Sequence, residues 1–150
     1  MRALLQRVKE AKVFIDQVLH SEIHSGLLIL LGIEKGDNTE DINWLVKKIS
    51  QLRIFSDDQK KMNLNIQDIS GEVLIVSQFT LFASTYKGNR PGFTKAAEPE
   101  EAKPLYFSFI NEMSKQLNQD IKSGVFAADM DIQLINEGPV TILIDTKNKE

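Results

Sequence analysis

The sequence predicts a mixed α/β fold of the α+β class: a largely antiparallel sheet accompanied by two main helices. Three observations predict it. Several short runs alternate apolar and polar residues, which is the two-residue period of a strand. Two longer stretches instead space their apolar residues three and four apart, which draws one face of a helix. Small turn-forming pairs, Ser25-Gly26, Ser70-Gly71 and Ser123-Gly124, punctuate these runs.

Arg2 to Lys9 and Lys12 to Asp16 read as two strands with a short kink around Glu10-Ala11, and Val18 to Ile23 as a strand returning through a turn. Leu27 to Ile33 is apolar on both faces and is expected at the centre of the sheet. The first helix is expected to start at Asp37 or Thr39, because Asp37 with Glu40 three residues on makes a capping-box pattern. Its stripe is Ile42, Leu45, Val46, Ile49 and Leu52. Arg53 to Phe55 leaves it as a short extended piece, Ser56 to Lys60 is a polar loop, and Met62, Leu64 and Ile66 alternate as a hairpin arm.

Glu72 to Phe79 is the clearest strand, with β-branched Val73, Ile75 and Val76 suited to a buried position. From Ala83 to Pro99 periodicity disappears. A loop that long serves a function more often than not, and its Lys87, Arg90 and Lys95 are either phosphate contacts or solvated charges. The second helix is expected from about Glu100 to Asn118, with Leu105, Phe109, Met113 and Leu117 as its stripe and Tyr106 and Ile110 widening it. Pro104 inside a helix costs about 3 kcal/mol, so a start nearer Ala102 or a kink is expected. Val125 to Ile135 and Val140 to Ile144 read as a final hairpin turning at Gly138-Pro139. Residues 146–150 form a polar tail without a structural signal.

Composition removes whole classes of chemistry. The chain has 150 residues, enough for one domain spanning 1–150 and short for two. It holds no cysteine, so disulfides, thiolate nucleophiles and cysteine metal sites are out. Its two histidines, His20 and His24, flank a strand-like turn and are expected in solvent, which removes most histidine-base mechanisms. A net charge of −3 means that any nucleic-acid contact must be local, through clusters such as Lys47-Lys48, Lys60-Lys61 and Lys87 to Lys95. No apolar run approaches the roughly 18 residues of a membrane span, and the N-terminus alternates as a strand does, not as a signal peptide does. A cytoplasmic location without membrane contact is expected.

Two stretches carry the candidate chemistry. In Ser77-Gln78-Phe79-Thr80-Leu81 a continuing strand would put Ser77 and Phe79 on one face and Gln78 and Thr80 on the other. Hydroxyl, amide and ring crowded at a strand end make either a polar pocket edge or a strand fading into a loop. In Asn136-Glu137-Gly138-Pro139-Val140-Thr141, Gly138 and Pro139 make either a hairpin turn or a segment that aims two backbone carbonyls into a pocket.

Together, SQFTL and the later NxGPxT pattern resemble the D-aminoacyl-tRNA deacylases. Family-like segments extend through most of the chain: LLQRV at Leu4 to Val8, GLLILLGIEK at Gly26 to Lys35, RIFSD at Arg53 to Asp57, KMNLN at Lys61 to Asn65, RPGF at Arg90 to Phe93 and GVFAADM at Gly124 to Met130. The resemblance implies an editing hydrolase that cleaves the ester between a D-amino acid and the terminal ribose of tRNA, in a homodimer with composite active sites. It implies a cis Gly138-Pro139 bond reaching into the partner's pocket for chiral selectivity, and a pocket at Ser77, Gln78, Phe79 and Thr80 for the terminal adenosine and the ester. It further implies Phe126, Ala127 and Met130 as pocket residues, with plain core as the alternative for Phe126 and Met130. Arg7, with Asn136 and Thr141, supports the motif, or Arg7 is an ordinary surface-strand arginine.

A rigid pair of carbonyls discriminates handedness because it cannot rotate away from a colliding substituent, as a side chain can. Glycine carries no substituent, so glycyl-tRNA is expected to be cleaved as well. The aminoacyl ester is already activated. The ribose 2′-OH is expected to assist water, with the backbone amides of Phe79 and Thr80 holding the oxyanion and no cofactor or metal required. Thr80 as a nucleophile is the rival mechanism, and it lacks a base nearby in sequence. The alternatives at the level of function are a deacylase of altered chirality and a non-catalytic tRNA-binding protein. The fold expected with this resemblance is a barrel-like curved sheet with the two main helices packed outside.

Overall fold

Residues 1–149 are described by the structure, a computed structural model. β1 (Arg2–Ile15) is one continuous strand of 14 residues and not two; at the expected kink its pairing with the last strand shifts register between Val8 and Glu10. β2 (Val18–Ile23) returns antiparallel to it, and β3 (Gly26–Gly32) pairs antiparallel with its first half, from Arg2↔Gly32 to Val8↔Gly26. His20 and His24 are both exposed.

α1 (Thr39–Gln51) is capped one residue later than the sequence pattern suggested. The capping box is Asn38 with Asp41: the Asn38 side chain accepts from the Glu40 amide, and the Asp41 carboxylate accepts from the Asn38 amide. Asp37 is engaged elsewhere, accepting from the Met1 ammonium at 2.8 Å with both groups fully buried. The predicted stripe faces inward, with Ile42, Leu45, Val46 and Ile49 all buried.

β4 (Phe55–Ser56) and β5 (Met62–Leu64) make a small separate hairpin. β6 (Glu72–Ser77) runs parallel to β3. It stops two residues before the expected end, and Phe79–Phe82 forms a single 3-10 turn. α2 (Pro99–Leu117) starts before Ala102 and runs through Pro104. Pro99 stands in the first turn, where its missing N–H costs nothing.

β7 (Lys122–Ser123) lies parallel to β6, and β8 (Asp131–Asp145) is antiparallel to β1 along its whole length. The expected final hairpin is therefore absent. Residues 124–130 are a loop, and the chain does not reverse at Gly138-Pro139, because both halves of β8 pair with β1. Gln6 faces Thr141 and Val8 faces Asn136, so Glu137, Gly138, Pro139 and Val140 stand opposite Arg7 alone. The motif is an outward detour in a strand held in register on both sides.

The main sheet runs β2-β1-β3-β6-β7, with β8 on β1. Its antiparallel pairs dominate, while β3-β6-β7 is parallel. Ser21 Oγ on β2 donates to the Ser123 carbonyl on β7 at 2.9 Å, drawing the two ends of the sheet together into a nearly closed barrel. Each face of the sheet has its own core. Leu27, Ile29, Val73 and Ile75 pack under both helices, while Leu28, Leu74, Val76, Val8 and Val13 fill the other side. That accounts for the two-faced apolar character of β3.

The polar tail is partly structural. Thr146 is buried, its hydroxyl accepts from the Met1 ammonium at 2.7 Å, and its amide donates to the Met1 carbonyl. Lys147 Nζ reaches both Asp41 carboxylate oxygens at 2.8 Å. Of the tail residues, Glu150 lies outside the described residues. No helix among the described residues is long and apolar enough to cross a membrane.

Candidate active site

Where β6 ends, a cavity of about 380 Å³ opens between the 3-10 turn, the start of α2 and the loop at 124–130. Ser77, Gln78 and Phe79 line one side of it, and Phe126, Ala127 and Met130 the other. Leu31, Val76 and Ile132 contribute apolar surface. Six of the residues singled out by sequence thus converge on one cavity.

The strand-alternation picture of this motif does not hold, because the backbone leaves the strand after Ser77. The Gln78 amide still donates to the Leu31 carbonyl at 2.8 Å, and then the chain turns. Gln78 Nε2 donates to Thr80 Oγ1. Thr80 itself is exposed and does not line the cavity. The first amides of a helical turn have no acceptor within it, and in this turn those are the amides of Phe79 and Thr80. The exposed Phe79 ring meets Phe93 edge to face, with centroids 5.0 Å apart.

The opposite wall is shaped from below. Tyr106 is fully buried on α2, and its hydroxyl donates to the Ile75 carbonyl at 2.9 Å. Burial pushes the phenol far above its usual range, outweighing a hydrogen bond to Ser123, so it remains a donor. Its ring packs on Phe126 at 5.6 Å. The Gly124 amide also donates to the Ile75 carbonyl, at 3.0 Å. A Cβ on Gly124 would fall 2.6 Å from Met130 Sδ, so any larger residue there would push the Met130 side chain aside. Ala127 turns the loop with a positive φ of 62°. For Phe126 and Met130, pocket and core are not alternatives: each lines the cavity and also packs against one of the two cores.

Asp129 also lines the cavity, and sequence reasoning missed it. It stands inside the GVFAADM stretch and is the one ionisable side chain on the lining, which otherwise offers the Ser77 hydroxyl and the Gln78 amide. Pro99 and Ala102 at the head of α2 were missed as well, since nothing local in a helix start reveals the cavity beside it. Among the described residues no group of three or more His, Cys, Asp or Glu is placed to hold a metal ion.

The second motif forms its own constellation. The Gly138-Pro139 bond is cis, and both residues are exposed. Arg7 is buried beneath them: Nη1 donates to the Ile54 carbonyl at 2.6 Å, and Nε donates to the Glu137 carbonyl at 3.3 Å and lies 3.5 Å from its carboxylate. Asn136 Nδ2 closes the base of the detour by donating to the Val140 carbonyl at 3.1 Å. Thr141 is exposed on β8 opposite Gln6. None of these residues lines the cavity of their own chain.

Comparison with known proteins gives a consistent result. A family model described as D-Tyr-tRNA(Tyr) deacylase matches residues 4–145. The D-aminoacyl-tRNA deacylase of Cytophaga hutchinsonii is 58% identical over 150 residues, covering all of both chains. That of Flavobacterium psychrophilum is 55% identical with the same coverage. Among solved structures, the c-Myc DNA Unwinding Element Binding Protein superposes with a TM-score of 0.91 at 38% identity, covering 97% of this chain and 98% of that one. A probable eukaryotic D-amino acid tRNA deacylase superposes with a TM-score of 0.80 at 17% identity, covering 95% and 97%, a likeness of fold.

Proposed function

The chain belongs to the D-Tyr-tRNA(Tyr) deacylase family and is a hydrolase that deacylates aminoacyl-tRNA; from that premise we propose that it edits by handedness, in a homodimer whose two chains build each site. In this reading residues 1–150 act as one cytoplasmic deacylase domain without a cofactor. The terminal adenosine and its ester enter the cavity between Ser77, Gln78 and Phe79 on one side and Phe126, Ala127 and Met130 on the other. Gly138 and Pro139 of the second chain close it, held by Arg7, Asn136 and Thr141.

The observation that carries the proposal is the separation of the two motifs. The SQF side of the site is a cavity, whereas Gly138 and Pro139 are exposed on a detour and do not line that cavity in their own chain. A segment so presented suits a neighbour's pocket. Its main-chain carbonyls form a wall that collides with the L side chain and spares the D side chain. Discrimination is then set by repulsion, and glycyl-tRNA passes.

Water attacks the ester carbon, the carbonyl oxygen takes up negative charge, and the Phe79 and Thr80 amides, which have no acceptor within their own turn, stabilise it. The ribose 2′-OH orients the attacking water, and collapse of the intermediate releases the amino acid and the tRNA 3′-OH. The lining favours this route over a side-chain nucleophile, since it offers no histidine or lysine to activate one.

The test is to incubate the protein with D-Tyr-tRNA, L-Tyr-tRNA, L-Ala-tRNA and Gly-tRNA. Release from the D and glycyl substrates alone supports the proposal. Release of L-alanine supports altered chirality, and binding without release supports a tRNA-binding protein.

A further inference from the structure

The loop between the 3-10 turn and α2 belongs to neither motif, yet it is built as a distinct object. Its two roots are fixed. On one side Arg2 Nη1 donates to the Leu81 carbonyl at 2.9 Å, and its guanidinium lies 4.7 Å from the buried Phe82 ring. On the other, the Lys35 amide donates to the Lys95 carbonyl at 3.1 Å, and the Ala97 amide to the Ile33 carbonyl at 2.9 Å. Between the roots, Ser84 and Gly92 exchange two backbone hydrogen bonds of 2.7 and 2.9 Å, closing residues 84–92 into a ring. Beyond that closure the ring stands in open space: a Cβ on Gly88 or Gly92 would meet nothing within 4 Å, and Tyr86 is 91% exposed.

Its chemistry is one-sided. From Phe79 to Ala97 the chain carries Lys87, Arg90 and Lys95 and not one carboxylate, in a protein whose net charge is −3. The first carboxylate beyond it, Glu98, lies 3.3 Å from Lys35 Nζ. Phe93, just past the closure, packs edge to face on Phe79, which lines the cavity. A cationic ring bearing an exposed aromatic side chain is thereby docked at the lip of the site.

We propose that this ring grips the single-stranded RNA leading into the cavity, with Tyr86 stacking on a base upstream of the terminal adenosine and Lys87 and Arg90 on the phosphates between. This deepens the deacylase reading and rests on it for the identity of the RNA. Aromatic stacking tolerates any base, and cations follow a backbone whatever its sequence. The ring would therefore tighten binding of aminoacyl-tRNAs generally, leaving amino-acid handedness to be sensed elsewhere.

Two variants test it, Tyr86→Ala and the double variant Lys87→Ala/Arg90→Ala, on two substrates: D-Tyr-tRNA and the same D-tyrosyl ester on adenosine alone. Each is expected to raise KM for D-Tyr-tRNA about tenfold with kcat unchanged, and to leave kcat/KM for the adenosine ester as in the wild type. The double variant is expected to lower the salt slope of binding to uncharged tRNA by about one per cation removed. Equal losses on both substrates, or an unchanged affinity and salt slope, overturn the proposal. Binding of uncharged tRNA needs no hydrolysis, so the two readings fail separately. A protein that binds through the ring without releasing amino acid sinks the deacylase reading alone. Undiminished turnover and tRNA binding in both variants sink the ring alone.

Discussion

A methyl group added to Gly138 would lie 2.6 Å from Nη2 of Arg7, the side chain that holds the Glu137 carbonyl in place. Gly138 also has φ +114°, a region that L residues rarely adopt. Gly138→Ala therefore loads strain of about 1–3 kcal/mol onto the detour, and the guanidinium beneath must shift. The ratio of D-Tyr-tRNA to L-Tyr-tRNA hydrolysis is expected to fall at least about tenfold, the equivalent of 1.4 kcal/mol. Both flanks stay paired with β1, so the melting temperature should drop by only a few degrees. Unaltered selectivity would remove Gly138 from the chiral wall.

Arg7→Met leaves the Ile54 carbonyl without its donor at 2.6 Å. A buried acceptor left unsatisfied costs about 1–3 kcal/mol, which chemical denaturation would show. Because the same side chain fixes Glu137, selectivity should fall along with stability. Arg7→Lys cannot span both carbonyls with a planar fork, so it is expected to restore only part of each.

Thr80→Ala should retain kcat within about tenfold of the wild type, whereas loss of a true nucleophile costs several orders of magnitude. The Thr80 hydroxyl already accepts from Gln78, Thr80 does not line the cavity, and the lining holds no histidine or lysine to activate it. Single-turnover release of D-tyrosine measures this. Loss of turnover with substrate binding intact would restore the nucleophile mechanism.

Tyr106→Phe removes one of two donors to the Ile75 carbonyl, the other being the Gly124 amide at 3.0 Å. The acceptor stays satisfied, so the loss is expected at about 0.5–1.5 kcal/mol, and not at the higher cost of an orphaned group. Urea unfolding with an unchanged m-value checks it.

Acid stability should depend on Asp41. Burial pushes its carboxyl up, but hydrogen bonds from Lys147, Thr146 and the Asn38 amide, with the Lys147 charge, outweigh it and hold the carboxyl at about 2, below its usual 3.8. A depressed carboxyl contributes stability that is present above 3.8 and is lost as pH falls through about 2. Lys147 is raised above 10.5, chiefly by its hydrogen bond to Asp41, so its contribution is present below that value and is lost in stronger base. Lys147→Met should therefore be less stable than the wild type from about pH 4 to about pH 10. The two unfolding curves should converge towards pH 2.

The helices were legible because their stripes are local: Ile42, Leu45, Val46 and Ile49 all face the core. What escaped sequence depends on partners far along the chain. Alternation on both sides of Gly138-Pro139 announces strand, but it does not say that both sides pair with β1, and a Gly-Pro pair between two strands looks the same in a hairpin. Asp37 fits a cap locally but is claimed by Met1, which freed Asn38 for the cap. Thr146 and Lys147 carried no structural signal because their partners, Met1 and Asp41, are more than a hundred residues away. At the cavity, the apolar and aromatic residues after Ser77 and around Phe126 suggested continued strand. A tight turn at one and the positive φ of Ala127 at the other ended it. Those interruptions put Phe79 and Phe126 on facing walls.

The detour at Glu137 to Val140 departs from β1 and returns to it, with Thr141 and Asn136 each locked to a fixed partner. Its contents meet the frame beneath through two side chains, Arg7 under Glu137 and Asn136 under Val140. Substitutions there that keep those two contacts alter the exposed surface while the ladder holds on either side. That exposed surface can therefore change as a cassette in an otherwise unchanged frame.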